Sequence, residues 1–198
     1  MSALLTAAGV PCGHEAAHSH VARGVWPEGL LADSSWMAAC MLDVVTCPVV
    51  LLVRHPLAVV RSWVEIGFFT RDIAGPTHGP LRQAYPHVYD YAAPHDRALA
   101  MWTELTTAAL RRAELVVRLE QLLGDSGVLV RLLRWAGHDT PQAVDAHRTV
   151  GQVNRKEHLR RLTLRPWTPS WDAHEAGLAR GARWLTESLG YDPEVIGG

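Results

Sequence analysis

Residues 48–69, PVVLLVRHPLAVVRSWVEIGFF, constrain the fold of this chain more than any other segment. They open with an uncharged run rich in valine and leucine, typical of a buried parallel strand. Arg54 ends the run, and Pro56 stands where a helix begins, a position that suits proline because its missing N–H has no intrahelical partner. Apolar residues then recur at helical spacing: Leu57, Val60, Val64 and Phe68. The pattern predicts a strand, an arginine, a turn and a helix.

This order of elements predicts an anion site. At the carboxyl end of a parallel strand, a guanidinium and the N–H groups of a helix N-terminus point into one crevice. Ser62 lies eight residues after Arg54, inside the predicted helix, and adds a hydroxyl donor. A bidentate charged donor with one neutral hydroxyl suits a phosphate dianion. The alternative is that Arg54 forms an ion pair with a neighbour and that Ser62 is an ordinary residue of the helix surface.

Length and composition narrow the class of protein. A chain of 198 residues is long enough for one domain with a proper core. A charged content of 20% and a net charge of −1 argue against a nucleic-acid partner or a membrane surface. No apolar run approaches membrane-spanning length, no signal peptide is expected, and three cysteines without metal-ligand spacing fit a reducing cytosol. We expect a cytoplasmic protein, and its arginine-rich composition indicates a bacterial coding sequence.

Helical and strand patterns alternate along the chain, which is typical of an α/β fold with a mainly parallel sheet flanked by helices. Ser34 or Ser35 is expected to cap a helix that starts near Trp36. A long loop with short helical pieces at most is expected at residues 67–95, rich in glycine, proline and tyrosine. Further helices are predicted at residues 2–9, 96–112, 121–135 and 172–189, and strands at 11–15, 48–53 and 114–120.

Residues 14–18 match the zinc-protease pattern HExxH, in which His14 and His18 would bind metal and Glu15 would activate water. The sequence context argues against this interpretation, because the motif belongs inside a helix and Pro11 and Gly13 stand just before it. A zinc hydrolase therefore remains only an alternative, and we expect no metal.

Several segments, taken in order, resemble the bacterial sulfotransferases that use 3′-phosphoadenosine 5′-phosphosulfate (PAPS). The matching segments are GHE at 13–15, DSSW at 33–36, Arg54 with Ser62, the tryptophan-bearing helix at 96–112, RLE at 118–120, and Trp167 or Trp171 with LGY at 189–191. The resemblance implies the P-loop-like sulfotransferase fold, but it starts after the family's first strand and 5′-phosphosulfate loop. Either the protein continues upstream or the chain is a truncated relative, expected to form a single sulfotransferase-like domain over residues 1–198.

The resemblance implies two groups of residues that bind PAPS. Arg54 and Ser62 would hold its 3′-phosphate. Arg155 and Lys156, in the basic stretch 154–165, stand where a late basic loop of the family folds over the same phosphate. The alternative for that stretch is a solvated charged face.

The resemblance also implies a general base on the acceptor hydroxyl. Glu15 is the first candidate and His14 the second, since proton removal helps the acceptor oxygen to attack sulfur. The alternative is that both side chains only hold the next loop. Tyr85, Tyr89 and Tyr91 are candidates for contact with the acceptor.

The implied reaction moves a sulfuryl group from PAPS to a hydroxyl or amine of a small molecule or glycan. A non-catalytic nucleotide-binding or interaction module is the main alternative. A missing strand would leave a sheet edge open to a second copy of the chain or to a strand of a partner.

Overall fold

The computed structural model of the protein describes residues 1–16, 28–70, 75, 77–138, 145 and 168–196. The described α-helices are α1 (Ser2–Ala7), α2 (Pro56–Glu65), α3 (His78–Ala84), α4 (Pro94–Leu110), α5 (Leu119–Gly124), α6 (Ser126–Trp135) and α7 (Ala176–Ser188), with 3-10 helices at Met37–Val44, Pro86–Asp90 and Trp171–Ala173. The described strands are β1 (Cys12–His14), β2 (Ala32–Ser34), β3 (Val50–Val53) and β4 (Leu115–Arg118).

The described strands form two parallel pairs, β1 with β2 and β3 with β4. In the first pair Gly13 lies opposite Asp33. In the second pair Val53 lies opposite Arg118. The prediction of an α/β fold with parallel strands is therefore confirmed, whereas the finer P-loop-like sulfotransferase arrangement stays a prediction.

The described residues fall into two compact units. The first unit comprises the described residues within Met1–Val53 and Ala109–Lys156. The second unit comprises the described residues within Arg54–Ala108 and Glu157–Gly198. A single sulfotransferase-like domain over residues 1–198 stays a prediction.

The core of the first unit is built around helix α6. Its buried residues recur at helical spacing, so that one apolar face turns inward. Strand β4 and helix α1 contribute to the same cluster. The buried residues of this cluster are Leu4, Ala8, Val10, Val117, Leu122, Val128, Leu129, Leu132 and Leu133.

The second unit buries apolar side chains from each of its helices. Its most deeply buried residues include Leu57, Val60, Phe69, Leu81, Val88, Leu99 and Met101. None of the described helices combines the length and the hydropathy that a membrane span requires.

Two elements differ from the sequence-based predictions. The single helix expected at residues 121–135 is two helices, because Asp125 has extended backbone angles and its side chain accepts a hydrogen bond of 2.8 Å from the N–H of Gly127, which caps α6. Strand β2 was not predicted, since Asp33 and Ser34 have turn and cap preferences rather than strand preferences. Its pairing with β1 overrides that preference.

We predict that Leu129→Ala lowers the free energy of unfolding of the first unit by about 2 to 5 kcal/mol, because Leu129 is fully buried and its truncation leaves a cavity. Leu123→Ala is the matched control, since Leu123 lies on the neighbouring helix α5 and is 38% exposed. Urea denaturation followed by circular dichroism measures both changes. Equal losses in the two variants would contradict the assignment of the core.

Candidate functional site

Arg54 connects strand β3 to helix α2, as the sequence predicts. It is half-buried, and its guanidinium makes no hydrogen bond or ion pair with another described residue. Ser62, also half-buried, lies two turns into α2, and its hydroxyl likewise makes no hydrogen bond to any residue in the described ranges. The alternative of an Arg54 ion pair with a neighbour is therefore not seen in the described part of the chain. Both side chains belong to the second unit.

His55 fixes the start of α2. Its ring is fully buried and makes edge contacts with Trp171 and Tyr191, with ring centroids 6.3 Å and 5.7 Å away. The carbonyl of His55 accepts hydrogen bonds from the N–H groups of Ala58 and Val59 at 3.0 Å and 3.2 Å. No side chain caps the helix start. The first turn therefore keeps the partial positive charge of a helix N-terminus next to the Arg54 backbone.

Arg155 and Lys156, the second predicted phosphate-binding pair, lie outside the described residues. Their expected contact with the 3′-phosphate stays a prediction.

Glu15 lies just after β1 and is held by two hydrogen bonds. One carboxylate oxygen accepts from the N–H of Trp36 at 3.0 Å, and the other accepts a short hydrogen bond from the hydroxyl of Ser35. The Ser35 oxygen in turn accepts from the N–H of Ala38 at 3.0 Å. Ala38 lies in the first turn of the 3-10 helix Met37–Val44, whose N-cap residue is Trp36 rather than the predicted Ser34 or Ser35. The DSSW segment therefore anchors the first candidate base.

The backbone of Glu15 is in the left-handed region, with φ of 57°. This conformation is uncommon for residues other than glycine, asparagine and aspartate. Three hydrogen bonds hold Glu15 in this conformation. Two are accepted by its carboxylate, and the third runs from its backbone N–H to the carbonyl of Ser34 at 3.2 Å. The turn after β1 is thus fixed by side-chain contacts as well as by strand pairing.

His14 is exposed, and its ring makes one hydrogen bond within the described residues. Nδ1 lies 3.2 Å from the carbonyl oxygen of Ser34. A carbonyl oxygen only accepts, so Nδ1–H is the donor and the neutral ring carries its lone pair on Nε2. In this tautomer Nε2 is the nitrogen that can accept a proton.

The HExxH interpretation loses its structural context. His14 ends a strand and Glu15 has left-handed backbone angles, so neither residue is helical. His18 lies outside the described residues.

Among the candidate acceptor-contact tyrosines, Tyr89 is engaged inside the second unit. The Nε2–H of His78 donates to the carbonyl of Phe68 at 2.9 Å, so Nδ1 of the same ring accepts from the Tyr89 hydroxyl, also at 2.9 Å. Tyr91 is half-buried, and burial with nearby carboxylates, Glu175 foremost, raises its pKa. Contact of Tyr85, Tyr89 or Tyr91 with an acceptor stays a prediction.

A cluster that the sequence did not predict joins His95 and Asp96, in the first turn of α4, to His174, which precedes α7. The Nδ1–H of His174 donates to Asp96 Oδ1 at 2.9 Å, and the Nε2–H of His95 donates to the carbonyl of Ala173 at 2.8 Å. Burial lowers the pKa of His174, and the hydrogen bond to Asp96 offsets part of that effect. The two histidines lie 79 positions apart in sequence, so no local pattern reveals the cluster.

The three cysteines are free thiols. Burial raises the pKa of the Cys40 thiol to about 11 and also raises that of Cys12. Neither thiol has the lowered pKa of a catalytic nucleophile.

We predict that Gly13→Ala destabilises the first unit by about 1 to 3 kcal/mol through overpacking. A Cβ atom at this position would lie 2.5 Å from Asp33 Oδ1 and 2.7 Å from the Ala16 Cβ. Gly124→Ala is the control, because a Cβ there meets nothing within 4 Å. Urea denaturation compares the two variants, and a neutral Gly13→Ala would contradict the packing of the β1–β2 pair.

We predict that the free energy of unfolding falls as the pH drops below about 6.5, the ordinary histidine pKa. Because the pKa of folded His174 is lowered, the unfolded state then binds a proton at this residue more readily than the folded state does. The contribution is fully present above that pH. His174→Gln removes this titration but keeps a donor for Asp96. Urea denaturation in EDTA-containing buffer at about pH 7.5 and about pH 5.5 should show a smaller loss in the variant, by at most about 1.4 kcal/mol per pH unit. Identical losses would refute the effect.

Comparisons with other proteins identify no family. No family model matches the chain, and neither the curated proteins nor the solved structures give a significant match. The resemblance to the sulfotransferases therefore rests on the segments of this sequence and stays a prediction.

Proposed function

We propose that this protein is a bacterial, cytoplasmic sulfotransferase, or a truncated sulfotransferase-like protein, that binds PAPS and transfers its sulfuryl group to a hydroxyl or amine of a small molecule or glycan. The observation that carries the proposal is the disposition of Arg54. A half-buried arginine that pairs with no described side chain stands at the uncapped start of a helix, directly after a parallel strand.

Electrostatics favour a phosphate as the partner of Arg54. An arginine guanidinium is a cation that presents a planar fork of donors to a phosphate. The start of α2 adds a partial positive charge, which favours an anion. The hydroxyl of Ser62 is a further donor on the same helix. A 3′-phosphate, which carries two negative charges, suits this set of donors.

The finer fold proposal is the P-loop-like sulfotransferase arrangement without its first strand. The parallel pairs β1–β2 and β3–β4 and the helix that follows β3 support it. Catalysis by this fold depends on a 5′-phosphosulfate loop. We therefore propose enzymatic activity on the condition that the full-length protein contains such a loop.

The reaction is an in-line transfer, in which an acceptor oxygen forms a bond to sulfur as the bond from sulfur to the phosphate oxygen breaks. The acceptor loses its proton to a general base. Glu15 and His14 remain the two candidates for this base. The hydrogen-bond pattern favours His14, since this residue is exposed and its Nε2 makes no hydrogen bond to a described residue, whereas both carboxylate oxygens of Glu15 already accept hydrogen bonds.

We predict that the protein binds adenosine 3′,5′-bisphosphate, which carries the same 3′-phosphate as PAPS. Arg54→Ala should weaken this binding by about 2 kcal/mol or more, the scale of a lost charged hydrogen-bond pair. Isothermal titration calorimetry of both proteins measures the difference.

Arg61→Ala is the matched control. Arg61 lies on the same helix, is exposed, and pairs with Glu65 at 2.8 Å, so its loss removes equal charge without touching the start of α2. Equal weakening by the two substitutions would mean that Arg54 acts only through its charge and makes no specific contact with the phosphate. The absence of binding by the wild-type protein would overturn the proposal. Binding by a full-length protein that transfers no sulfuryl group would instead favour the non-catalytic nucleotide-binding module.

A further inference from the structure

The cluster of His95, Asp96 and His174 has the chemistry of a transition-metal site. One donor atom of each residue lies within 4.8 Å of the donor atoms of the other two. Asp96 Oδ1 is 2.9 Å from His174 Nδ1 and 3.9 Å from His95 Nε2. Donor atoms bound to a tetrahedral zinc at about 2.0 to 2.1 Å lie about 3.3 Å from each other, which falls between these two separations.

We propose that His95, Asp96 and His174 form a binding site for a divalent first-row transition metal such as Zn²⁺. This inference is independent of the proposed sulfuryl transfer. It departs from the sequence-based expectation of no metal, which rests on the HExxH stretch and on the spacing of the three cysteines.

The donor set decides the class of cation. Two imidazole nitrogens and one carboxylate oxygen suit Zn²⁺ and its neighbours in the first transition row, whereas Ca²⁺ and Mg²⁺ prefer sites made entirely of oxygen. Three protein ligands also leave coordination positions for water or a substrate, as in catalytic zinc sites.

Binding exchanges two hydrogen bonds for two coordinate bonds. Nδ1 of His174 now donates to Asp96, and Nε2 of His95 now donates to the carbonyl of Ala173. Coordination through these nitrogens moves the proton of each neutral ring to its other nitrogen, and no proton is released. The separations of Asp96 Oδ1 from His174 Nδ1 and from His95 Nε2, 2.9 Å and 3.9 Å, each change by about half an ångström to reach about 3.3 Å. The donor atoms of the two histidines, now within 4.8 Å of each other, close to the same separation.

Burial makes the site preorganised on one side and accessible on the other. The side chain of His174 is 0% exposed and that of Asp96 is 13% exposed, whereas that of His95 is 26% exposed. The N–H of Glu175 also donates to Asp96 Oδ1, at 3.3 Å, and so helps to orient the carboxylate. A cation therefore reaches the cluster from the side of His95.

The competing interpretation is a metal-free clamp, in which the hydrogen bond between His174 and Asp96 only fastens the segment before α7 to α4. Calorimetric titration of EDTA-treated and then dialysed protein with ZnCl₂ separates the two. We expect one site per chain in the wild type, and affinity at least tenfold weaker in His95→Ala and in Asp96→Asn. His95 is partly exposed, so its variant tests the site even where a change at buried His174 prevents folding.

Two histidine controls make the result specific. His87→Ala removes a histidine that pairs with Glu104 at 2.8 Å on the surface, and we expect unchanged zinc affinity. His14→Ala tests the HExxH stretch and should also leave it unchanged. No stoichiometric zinc in the wild type, full affinity in His95→Ala, or loss of zinc in His14→Ala would each overturn the proposal.

Discussion

The parallel pairing of β3 with β4 is the constraint on which most of the described structure depends. Parallel neighbours cannot be joined by a tight turn, so the chain must travel from the carboxyl end of one strand to the amino end of the next. Residues 54–114 make this crossover, and helices α2, α3 and α4 lie within it. The same residues, up to Ala108, belong to the second compact unit. Arg54 is the first residue of the crossover, which is why it stands both at a strand end and at a helix start.

Much of this arrangement follows from local patterns. The valine- and leucine-rich run and Pro56 identify β3 and the start of α2, since strand composition and helix starts are encoded within a few residues. Helices α1, α4 and α7 also lie close to their predicted positions, and Gly190, with φ of 78°, ends the last of them in the left-handed conformation that glycine permits. The cap residue Asp125 is also a local signal, and it marks the boundary between α5 and α6.

Other features depend on residues that are distant in sequence. Strand β2 exists because Ala32–Ser34 pairs with β1, and no strand propensity in those residues announces it. The partner of Glu15, the hydroxyl of Ser35, is 20 positions away. The segments of the resemblance placed Glu15 and DSSW in order along the chain but gave no sign that they bind each other. His95, Asp96 and His174 share no motif at all, so only the folded chain brings their donor atoms together.

The conformation of Glu15 bears on the choice between the two candidate bases. A left-handed glutamate costs of the order of 1 kcal/mol, and it persists only where surrounding contacts over-determine it. Those contacts are the hydrogen bonds that Ser35 and Trp36 donate to its carboxylate. Taking up a proton would weaken the hydrogen bonds that Glu15 accepts from Trp36 and Ser35, because a neutral carboxyl is a poorer acceptor than a carboxylate. Proton transfer to His14 Nε2 disturbs no such contact, because protonation leaves the Nδ1–H donor to Ser34 in place. The contacts of the turn therefore show that Glu15 helps to fix the backbone after β1, and they favour His14 over Glu15 for the proposed role of general base.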